Sequence, residues 1–370
     1  MNASLNLNIS VNGSNGTENN GASTSHIAES KFVLYGIIFP VIVTFGYLGN
    51  ILTAIVLWKK EMASTNNILL RALVLSDIAM ITTGLVALSC PMLLTKALDF
   101  DLVVNVLNSL AFSTINYLMM TSQQFNVYVL VSISVERYIA VCHPLSYANY
   151  KSRGRTIALL CGIICCSVVY NIPRLLATTV DPTTCINANS SFTCYEIVYT
   201  EFGEGYFYQE VYSVWIYGAT YFVIPLAVLL IMNIFIIKEL TKMRNIRRNL
   251  GVVNSSNAQK DSISQSLVII MSVFGVVQTL GFFNQFPNLM SDGIDKDHYR
   301  MIVNTLYAIN SSINILIYVA VGKKFRRNVT EFFKECFHCP SVVASSGQYQ
   351  VHATGVNNIR VSVLPGNSKL

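Results

Sequence analysis

The sequence is poor in charged residues. Asp, Glu, Lys and Arg make up 12% of its 370 residues, whereas 52% are hydrophobic. A soluble protein carries roughly 25% charged residues, so the composition argues against a chain of two or three soluble domains. Because the charge-poor stretches are long, they predict an integral membrane protein. The sequence also has no collagen-like period, no acidic tail and no disulfide-rich scaffold.

The sequence lacks the clusters of side chains that catalysis or metal binding would need. Its five histidines are scattered, and a lone Cys-x-x-Cys pair at Cys336 and Cys339 is weak evidence for a metal. We therefore predict no catalytic residues, no metal site and no enzymatic activity. Transporters and channels are expected to show internal repeats or rings of charge, which are missing here, so they remain remote alternatives.

Seven stretches are long and apolar enough to cross a bilayer, which takes roughly 20 helical residues. The third, sixth and seventh carry more Asn, Gln and Ser, which usually face the interior of a helix bundle. The predicted fold is an all-α membrane protein with a seven-transmembrane helix bundle in residues 32–320. The seven spans are 32–58, 68–94, 103–137, 156–180, 211–238, 262–290 and 299–320.

The N-terminal segment 1–31 has no apolar core, so it does not read as a cleavable signal peptide. We predict that this segment is extracellular, disordered and glycosylated, and that the first span acts as the signal anchor. Glycosylation sequons on the predicted outer side occur at Asn2, Asn8, Asn12, Asn15 and Asn189.

The distribution of charge predicts the orientation. With the N-terminus outside, five of the 25 basic residues and 12 of the 19 acidic residues lie in outer segments. Basic residues concentrate on the cytoplasmic side of membrane proteins. The pattern predicts a multi-pass protein of the plasma membrane with an extracellular N-terminus and a cytoplasmic C-terminus.

Asp77 lies in the middle of the second span, where a lone carboxylate is costly. Polar side chains at comparable depth in other spans predict a shared polar pocket. Two interpretations remain open: a structural hydrogen-bond hub, or a site for a sodium ion and waters. No other cofactor is predicted. The other members of the predicted pocket are Asn50, Asn126, Asn310, Ser311 and Asn314.

The third span ends at its cytoplasmic boundary in Glu136-Arg137-Tyr138. A Glu-Arg pair at a helix end is usually a surface charge pair of little energy. Here the pair ends an intramembrane helix, and an arginine stays ionised even when it is buried. Arg137 must therefore pair with an acid or reach water, and these two states make a natural switch.

The seventh span ends in the segment Asn314-Ile315-Leu316-Ile317-Tyr318, and a basic amphipathic segment follows at 321–339. Such a segment suits a cytoplasmic helix that lies in the membrane interface. Its Cys336 and Cys339 are palmitoylation candidates, although cytosolic cysteines are more often free. Residues 340–370 are predicted to form a disordered cytoplasmic tail.

These motifs resemble those of rhodopsin-like (class A) G-protein-coupled receptors over residues 32–337. The segments 135–145, 170–174 and 314–318 are similar to those of invertebrate FMRFamide-type neuropeptide receptors. The resemblance implies an extracellular peptide ligand and a heterotrimeric G protein as partners. It also implies arrestin, receptor kinases and membrane lipids as partners, but no nucleic acid. The coupling switch that it implies consists of Glu136, Arg137, Tyr138, Asn314 and Tyr318.

The chain departs from the class pattern at several positions. Phe112 stands where most members carry the cysteine that bonds the second outer loop, and Ile315 replaces the usual proline. The outer loop holds Cys185 and Cys194, spaced like positions on opposite strands of a hairpin. A Cys185–Cys194 disulfide is predicted because the lumen is oxidising, with Cys90 as the competing partner.

The resemblance also bears on the ligand. Monoamine receptors carry an acid in the third span to bind the ligand amine, and Met119 stands at that position here. Opsins carry the lysine that binds retinal in the seventh span, and Ala308 stands at that position. Neither a monoamine nor retinal is therefore expected as the ligand. An acidic outer face attracts cationic ligands, although positive-inside topology alone would also leave it acidic. An Arg-Phe-amide peptide would suit charge-assisted hydrogen bonds and cation–π contacts. A class A receptor for another peptide or small ligand is the alternative. The predicted peptide-binding residues are Met119, Gln123, Glu196, Glu210, Trp215 and Gln278.

Overall fold

The structure is a computed structural model. It describes residues 29–59, 66–98, 101–150, 152–187, 190–250, 255–285, 295–321 and 323–337.

A helix occupies each of the seven predicted spans. The first three spans are Phe32–Ile38 with Phe39–Trp58, then Asn66–Gly84 with Leu85–Ser89 and Cys90–Leu98, then Asp101–Cys142. The last four spans are Arg153–Leu176, then Phe207–Ile216 with Gly218–Val223 and Ile224–Asn249, then Ser255–Gln285, then Lys296–Ser312 with Asn314–Val321. The shorter helices are Pro144–Tyr150, Glu201–Glu204 and Lys323–Phe337.

Within the described residues, five helices are long and apolar enough to cross a bilayer unaided. The seventh span supplies a further crossing if Lys296–Ser312 and Asn314–Ala320, which meet at an angle of 41°, are taken together. The apolar part of the sixth span, Val268–Asn284, is shorter. The bend in the seventh span forms at Ile313, without the proline that class A receptors usually carry at the position of Ile315.

The bundle is apolar outside and polar at its centre. The side chains of Phe45, Val169 and Leu316 are each more than 60% exposed, whereas Asp77 and Gln278 are almost completely buried. In water, exposed apolar side chains and buried polar ones would be unfavourable. In a membrane this distribution is favourable, because the lipid contacts apolar side chains and polar groups must find partners within the protein. The arrangement therefore suits a bundle surrounded by lipid.

The third span lies at the centre of the bundle and packs against the second, fourth and fifth spans. Its buried Leu130 and Ile133 belong to a large apolar cluster that also contains Leu73, Leu229 and Met271. The third span therefore shares one apolar core with the second, fifth and sixth spans.

The fourth span ends earlier than predicted. Its helix stops at Leu176, and β1 (Thr178–Asn187) follows and pairs in antiparallel fashion with β2 (Ser190–Tyr199). The prediction of a span to residue 180 was wrong there, because Thr178, Thr179 and Val180 are β-branched and favour a strand. The hairpin is closed at its base by the backbone N–H of Thr200, which donates to the carbonyl of Ala177 at 3.0 Å.

The seventh span begins with a charged cap at Asp295. One carboxylate oxygen accepts from the backbone N–H groups of Asp297 and His298, and the other lies 2.7 Å from Nδ1 of His298. The hydrogen bond from the His298 side chain, together with these backbone bonds, lowers the pKa of Asp295. Asp295 therefore stays ionised and satisfies donors that the helix N-terminus leaves free.

Gly281 marks a close contact between the sixth and seventh spans. A Cβ at this position would collide with the hydroxyl of Tyr307 and would lie 2.9 Å from Cε1 of Phe222. We expect Gly281→Ala to lower the free energy of unfolding by roughly 1–3 kcal/mol, as overpacking does elsewhere. Thermal denaturation of the detergent-solubilised protein measures the effect.

Gly275 on the same helix is the matched control for Gly281. A Cβ there would meet only ordinary contact, with Cδ1 of Leu226 at 3.6 Å. We expect Gly275→Ala to be neutral or stabilising by up to roughly 1 kcal/mol, because alanine favours helix over glycine. Equal melting temperatures for the two alanine variants would contradict the proposed contact.

Candidate functional site

Asp77 joins three spans through its two carboxylate oxygens. Oδ1 accepts from Nδ2 of Asn126 on the third span at 2.8 Å, and Oδ2 accepts from Nδ2 of Asn314 on the seventh at 2.7 Å. Asn126 also donates to Oγ of Ser76 at 3.0 Å. All four side chains are buried. The carboxylate is thus held by charge-assisted hydrogen bonds, which are the strong ones.

Asn50 extends this network to the first span. Its Nδ2 donates to the carbonyl oxygens of Gly46 and Ser311, each at 2.9 Å. The hydroxyl of Ser311 lies 3.7 Å from Sδ of Met80. Asn310, the residue before Ser311, is also buried. The structure therefore brings the predicted polar residues to the centre of the bundle, on the first, second, third and seventh spans.

The chemistry of this pocket is compatible with a small hard cation. Asp77, Ser76 and Ser311 offer a carboxylate and two hydroxyl oxygens, and oxygens are the ligands that hard cations take. In the structure, however, both oxygens of Asp77 accept amide N–H groups. The network therefore already satisfies the carboxylate without an ion, and a cation would have to share these oxygens with the amides.

At the C-terminal end of the third span, Glu136 and Arg137 do not form the expected pair. Oε1 of Glu136 instead accepts from the hydroxyl of Tyr147 at 2.8 Å, on the short helix Pro144–Tyr150. Arg137 is 8% exposed, and its Nε is buried without a hydrogen-bond partner among the described residues. No ion pair joins the two side chains in the part of the chain that the structure describes.

Tyr318 lies on the path between the Asp77 network and Arg137. It is buried, its hydroxyl has no partner within the described ranges, and its ring contacts that of Phe325 with centroids 5.5 Å apart. Tyr138 faces another way, with its hydroxyl 3.2 Å from Nε2 of His143 and its ring against Phe235. The residues of the predicted switch are thus not all in one place: Arg137 and Tyr318 are buried, whereas Tyr138 contacts His143 and Phe235.

The Tyr147–Glu136 hydrogen bond holds the acid away from Arg137. Burial, followed by this hydrogen bond, raises the pKa of Tyr147, so its hydroxyl remains a donor at physiological pH. We expect Tyr147→Phe to release Glu136 toward Arg137 and to lower ligand-independent nucleotide exchange by roughly tenfold, the lower end of the effect of one hydrogen bond to a charged group. Exchange on a purified G protein measures this.

Glu136→Gln provides the control for Tyr147→Phe. Without the carboxylate, nothing is released toward Arg137, so Tyr147→Phe should have no further effect in the double variant. Equal exchange rates for wild type and Tyr147→Phe, at matched receptor amounts, would show that this hydrogen bond does not affect the switch.

In the hairpin, Glu196 lies exposed on β2, directly opposite the exposed Asp181 on β1. Glu210 is half-buried in the fifth span. Trp215 is 66% exposed and does not join the interior of the bundle. The structure therefore places Glu196 on the hairpin, and Glu210 and Trp215 in the fifth span.

A small cavity opens between the first, second, third and seventh spans. Its volume is about 20 Å³, room for one water molecule, and Met119, Gln123, Asn304 and Tyr307 line it. Gln278 lies elsewhere, completely buried, and its Nε2 donates to the carbonyl of Tyr221 at 2.7 Å. Met119 and Gln123 are thus brought together, whereas Gln278 joins the sixth span to the fifth.

Several predicted modification sites fall where the structure gives no side-chain geometry. The strand register places Cys185 opposite Phe192 and Cys194 opposite Thr183, a diagonal offset of two residues, but neither cysteine side chain is described. Cys90 is a free cysteine. The disulfide remains a prediction. Outside the described residues lie Asn2, Asn8, Asn12, Asn15, Asn189 and Cys339, and the side chain of Cys336 is likewise not described.

The helix Lys323–Phe337 packs against the end of the seventh span. Phe325 and Val329 are buried on one face, whereas Arg326, Arg327 and Phe333 are exposed. A helix with apolar and basic exposed side chains suits the membrane interface.

Two residues with no predicted role, Tyr147 and Arg174, lie at sites in the structure. No sequence feature pointed to Tyr147, because its contact with Glu136 depends on the position of a separate helix. Arg174 had a signal, since an arginine next to a span needs a partner. In the structure its guanidinium lies over the ring of Tyr217 at 4.5 Å.

These observations define a helical membrane bundle in which a buried polar network joins four spans and a buried arginine lies at one end of the third span. Residues 49–318 match the sequence model of the 7 transmembrane receptor (rhodopsin family). The chain belongs to this family, which is one of receptors and not of enzymes. It is a multi-pass membrane protein, as predicted, and the predicted class is confirmed.

Comparison with curated proteins identifies peptide receptors as relatives. The chain is 26% identical over 301 residues to the FMRFamide receptor of Drosophila melanogaster, covering 80% of this chain but 53% of that protein. It is 26% identical over 321 residues to the FMRFamide peptide receptor frpr-18 of Caenorhabditis elegans, covering 84% and 71%. A cholecystokinin receptor type A of Oryctolagus cuniculus is 29% identical over 170 residues, 44% and 36% of the two chains.

Proposed function

We propose that the protein is a receptor for an extracellular neuropeptide of the Arg-Phe-amide type and passes the signal to heterotrimeric G proteins. The similarity to two FMRFamide receptors supports the ligand class, and the family supports the G protein as partner. The plasma membrane is the proposed location, with the N-terminus outside and the C-terminus in the cytoplasm. This orientation rests on the distribution of basic residues.

The observation that carries the ligand proposal is the acidic pair on the outer hairpin. Asp181 and Glu196 are directly opposite each other in the strand register, and both are exposed. Like charges in this arrangement destabilise a hairpin, so a cation placed between them relieves their repulsion. The guanidinium of an Arg-Phe-amide peptide is such a cation, and its planar donors match carboxylate oxygens.

Neutralising this pair should weaken the response to peptide. We expect Glu196→Gln and Asp181→Asn each to raise the half-maximal concentration of an Arg-Phe-amide peptide by roughly threefold to tenfold, with smaller effects at high salt because both acids are exposed. A calcium or cAMP assay in transfected cells measures the change. Glu201→Gln, an exposed acid outside the hairpin, is the matched control. Unchanged potency in both hairpin variants would remove them from the site.

The proposed mechanism links this outer site to Arg137. Peptide binding favours a state in which the cytoplasmic end of the sixth span moves outward and Arg137 becomes available to the G protein. Asn314 and Tyr318 rearrange below Asp77 in that state. A ligand shifts such an equilibrium only by its difference in affinity for the two states.

The experiment that tests the ligand proposal is a screen of an amidated-peptide library by calcium and cAMP readouts. Activation by peptides ending in Arg-Phe-amide supports the proposal. Activation by peptides with another C-terminal sequence would support the second candidate, a receptor for a different peptide, which the similarity to a cholecystokinin receptor favours.

The remaining proposals concern partners and modifications. Asp77, with Ser76 and Ser311, is the proposed place for a sodium ion, which would supply a counter-charge to the carboxylate. Arrestin, receptor kinases and anionic lipids are proposed partners on the cytoplasmic side, and the lipid role rests on the basic residues there. N-linked glycans at the five outer sequons, acyl chains at Cys336 and Cys339, and the Cys185–Cys194 disulfide complete the proposed mature protein.

A further inference from the structure

Arg174 lies in the last turn of the fourth span, between the fourth and fifth spans. Its Cζ is 4.5 Å from the ring centroid of Tyr217 and 5.5 Å from that of Tyr212. Both tyrosines are buried, at 7% and 4% exposure. A cation over two buried rings cannot be a lipid-facing arginine, so the guanidinium belongs to the interior of the bundle.

The two rings, which belong to the fifth span, are fixed by contacts with two other spans. The hydroxyl of Tyr212 donates to the carbonyl of Tyr170 on the fourth span at 2.8 Å. The hydroxyl of Tyr217 lies 3.8 Å from Sδ of Met120 on the third span, next in sequence to the cavity-lining Met119. The rings of Tyr212 and Tyr217 thus form a cage around Arg174. This cage lies at the junction of the third, fourth and fifth spans, on the outer side, where β1 begins at Thr178.

The charge of Arg174 has no counter-ion in this cage. Nε is buried and has no hydrogen-bond partner, and no ion pair joins Arg174 to an acid, within the residues that the structure describes. Tyrosine rings attract the cation through their faces, but the N–H groups of a guanidinium point outward in its plane. Apart from a side-chain hydrogen bond with Tyr212, the two rings contact the faces of Arg174 and leave donors at the edge of the guanidinium for a planar anionic acceptor. A carboxylate matches such donors in a bidentate manner.

We propose that Arg174 binds a carboxylate of the peptide ligand, that of an Asp or Glu side chain. The inference rests on the proposed function, which it makes more specific. The receptor would recognise a peptide of mixed charge, with its arginine at Asp181 and Glu196 and its acidic residue at Arg174. Charge of both signs on the outer half discriminates against peptides that are only basic.

The test uses the full-length receptor in transfected cells and a set of Arg-Phe-amide peptides. Each peptide carries one Asp at a successive position upstream of Arg-Phe-amide, and a partner peptide carries Asn there. The measured quantity is the ratio of the Asn to the Asp half-maximal concentration at each position, for wild type and Arg174→Gln. Surface expression of each receptor is measured in parallel.

At one position, wild type is expected to favour the Asp peptide by tenfold or more, and Arg174→Gln to bring the ratio within about twofold of unity. Potency of the Asn peptide should change little. Arg174→Glu should instead favour a peptide with Lys at that position. A role confined to packing the fourth span against the fifth would lower potency for both members of a pair and leave the ratio unchanged.

Arg300→Gln is the matched control, because Arg300 is another outer arginine but lies 3.5 Å from Asp297, its own acidic partner. It should keep the preference for the Asp peptide. Active peptides with equal Asn-to-Asp ratios in wild type and Arg174→Gln at every position would overturn the inference and leave the proposed function standing. Failure of the whole series on wild type would overturn the proposed function and, with it, this inference.

Discussion

Replacement of Arg137 by alanine is expected to abolish most signalling while leaving peptide binding intact. Arg137 is 8% exposed, and its Nε has no hydrogen-bond partner among the described residues. An arginine cannot lose its charge, so the buried Nε donor of Arg137 is unfavourable until an acceptor is supplied. A carbonyl or carboxylate of the G protein is the partner that the proposed mechanism provides.

The size of the effect follows from this missing partner. Hydrogen bonds to a charged group contribute roughly 1.5–3 kcal/mol, which corresponds to roughly a tenfold to hundredfold loss in the complex with the G protein. The measurements are agonist-stimulated nucleotide exchange and binding of labelled peptide, at matched surface expression. Exchange should fall by that factor, and peptide affinity in the absence of G protein should stay within about threefold of wild type.

Arg327→Ala is a suitable control for Arg137→Ala. Arg327 is also cytoplasmic, but its side chain is 66% exposed and lies 3.6 Å from Glu331. Exposed pairs of this kind contribute little, so exchange should stay close to wild type. Full coupling by Arg137→Ala at normal surface expression would show that the switch has been assigned to the wrong residue.

The centre of the bundle could be predicted from sequence because the membrane restricts the choices there. A carboxylate in the middle of the second span has to find donors within the protein, and few polar side chains lie at the same depth. Asn126 and Asn314 were therefore expected near Asp77, and the structure places them there at 2.8 and 2.7 Å.

The contacts of the fifth span could not be predicted in the same way. A helix surrounded by lipid on one side is apolar on several faces, so hydrophobicity does not show which face is buried. The segments Phe207–Ile216 and Gly218–Val223 are also π-helical, with hydrogen bonds from i to i+5. This winding places Tyr212 and Tyr217, five residues apart, over the same guanidinium, whereas Trp215 faces outward.

The sequence predicted charged residues at the end of the third span, but not how they would pair. Adjacent Glu136 and Arg137 suggested an ion pair within the motif. The acid is held by Tyr147, which belongs to a separate helix, and only tertiary structure decides where that helix lies. Local sequence therefore identified the charged groups but could not identify which of them were paired.

Asp77→Ala is the second change with a large expected effect, because it removes an acceptor from two spans at once. Nδ2 of Asn126 and Nδ2 of Asn314 both donate to Asp77, and all three side chains are buried. Leaving a buried donor unsatisfied costs roughly 1–3 kcal/mol, so the loss in free energy of unfolding should be about 2–6 kcal/mol. Thermal denaturation of the solubilised receptor measures it.

Asp77→Asn removes the charge of the Asp77 side chain but keeps its shape. An asparagine here keeps one acceptor oxygen, and a rotated amide of Asn126 or Asn314 can offer its own oxygen to the new NH₂ group, since an amide carries both donor and acceptor. We therefore expect Asp77→Asn to lose less than half of the stability that Asp77→Ala loses. Equal losses for the two variants would contradict the hydrogen-bond account of this network.

A comparison of wild type with Asp77→Asn also distinguishes a structural hydrogen-bond hub from a sodium site. If a sodium ion binds at Asp77, replacing choline by sodium should raise the melting temperature of wild type and leave Asp77→Asn unchanged, because the carboxylate supplies the counter-charge. If the residues form a hydrogen-bond hub alone, sodium should have no selective effect on wild type, yet Asp77→Asn should still alter coupling. The amide N–H groups would then compensate the carboxylate without help, since each of its oxygens already accepts one.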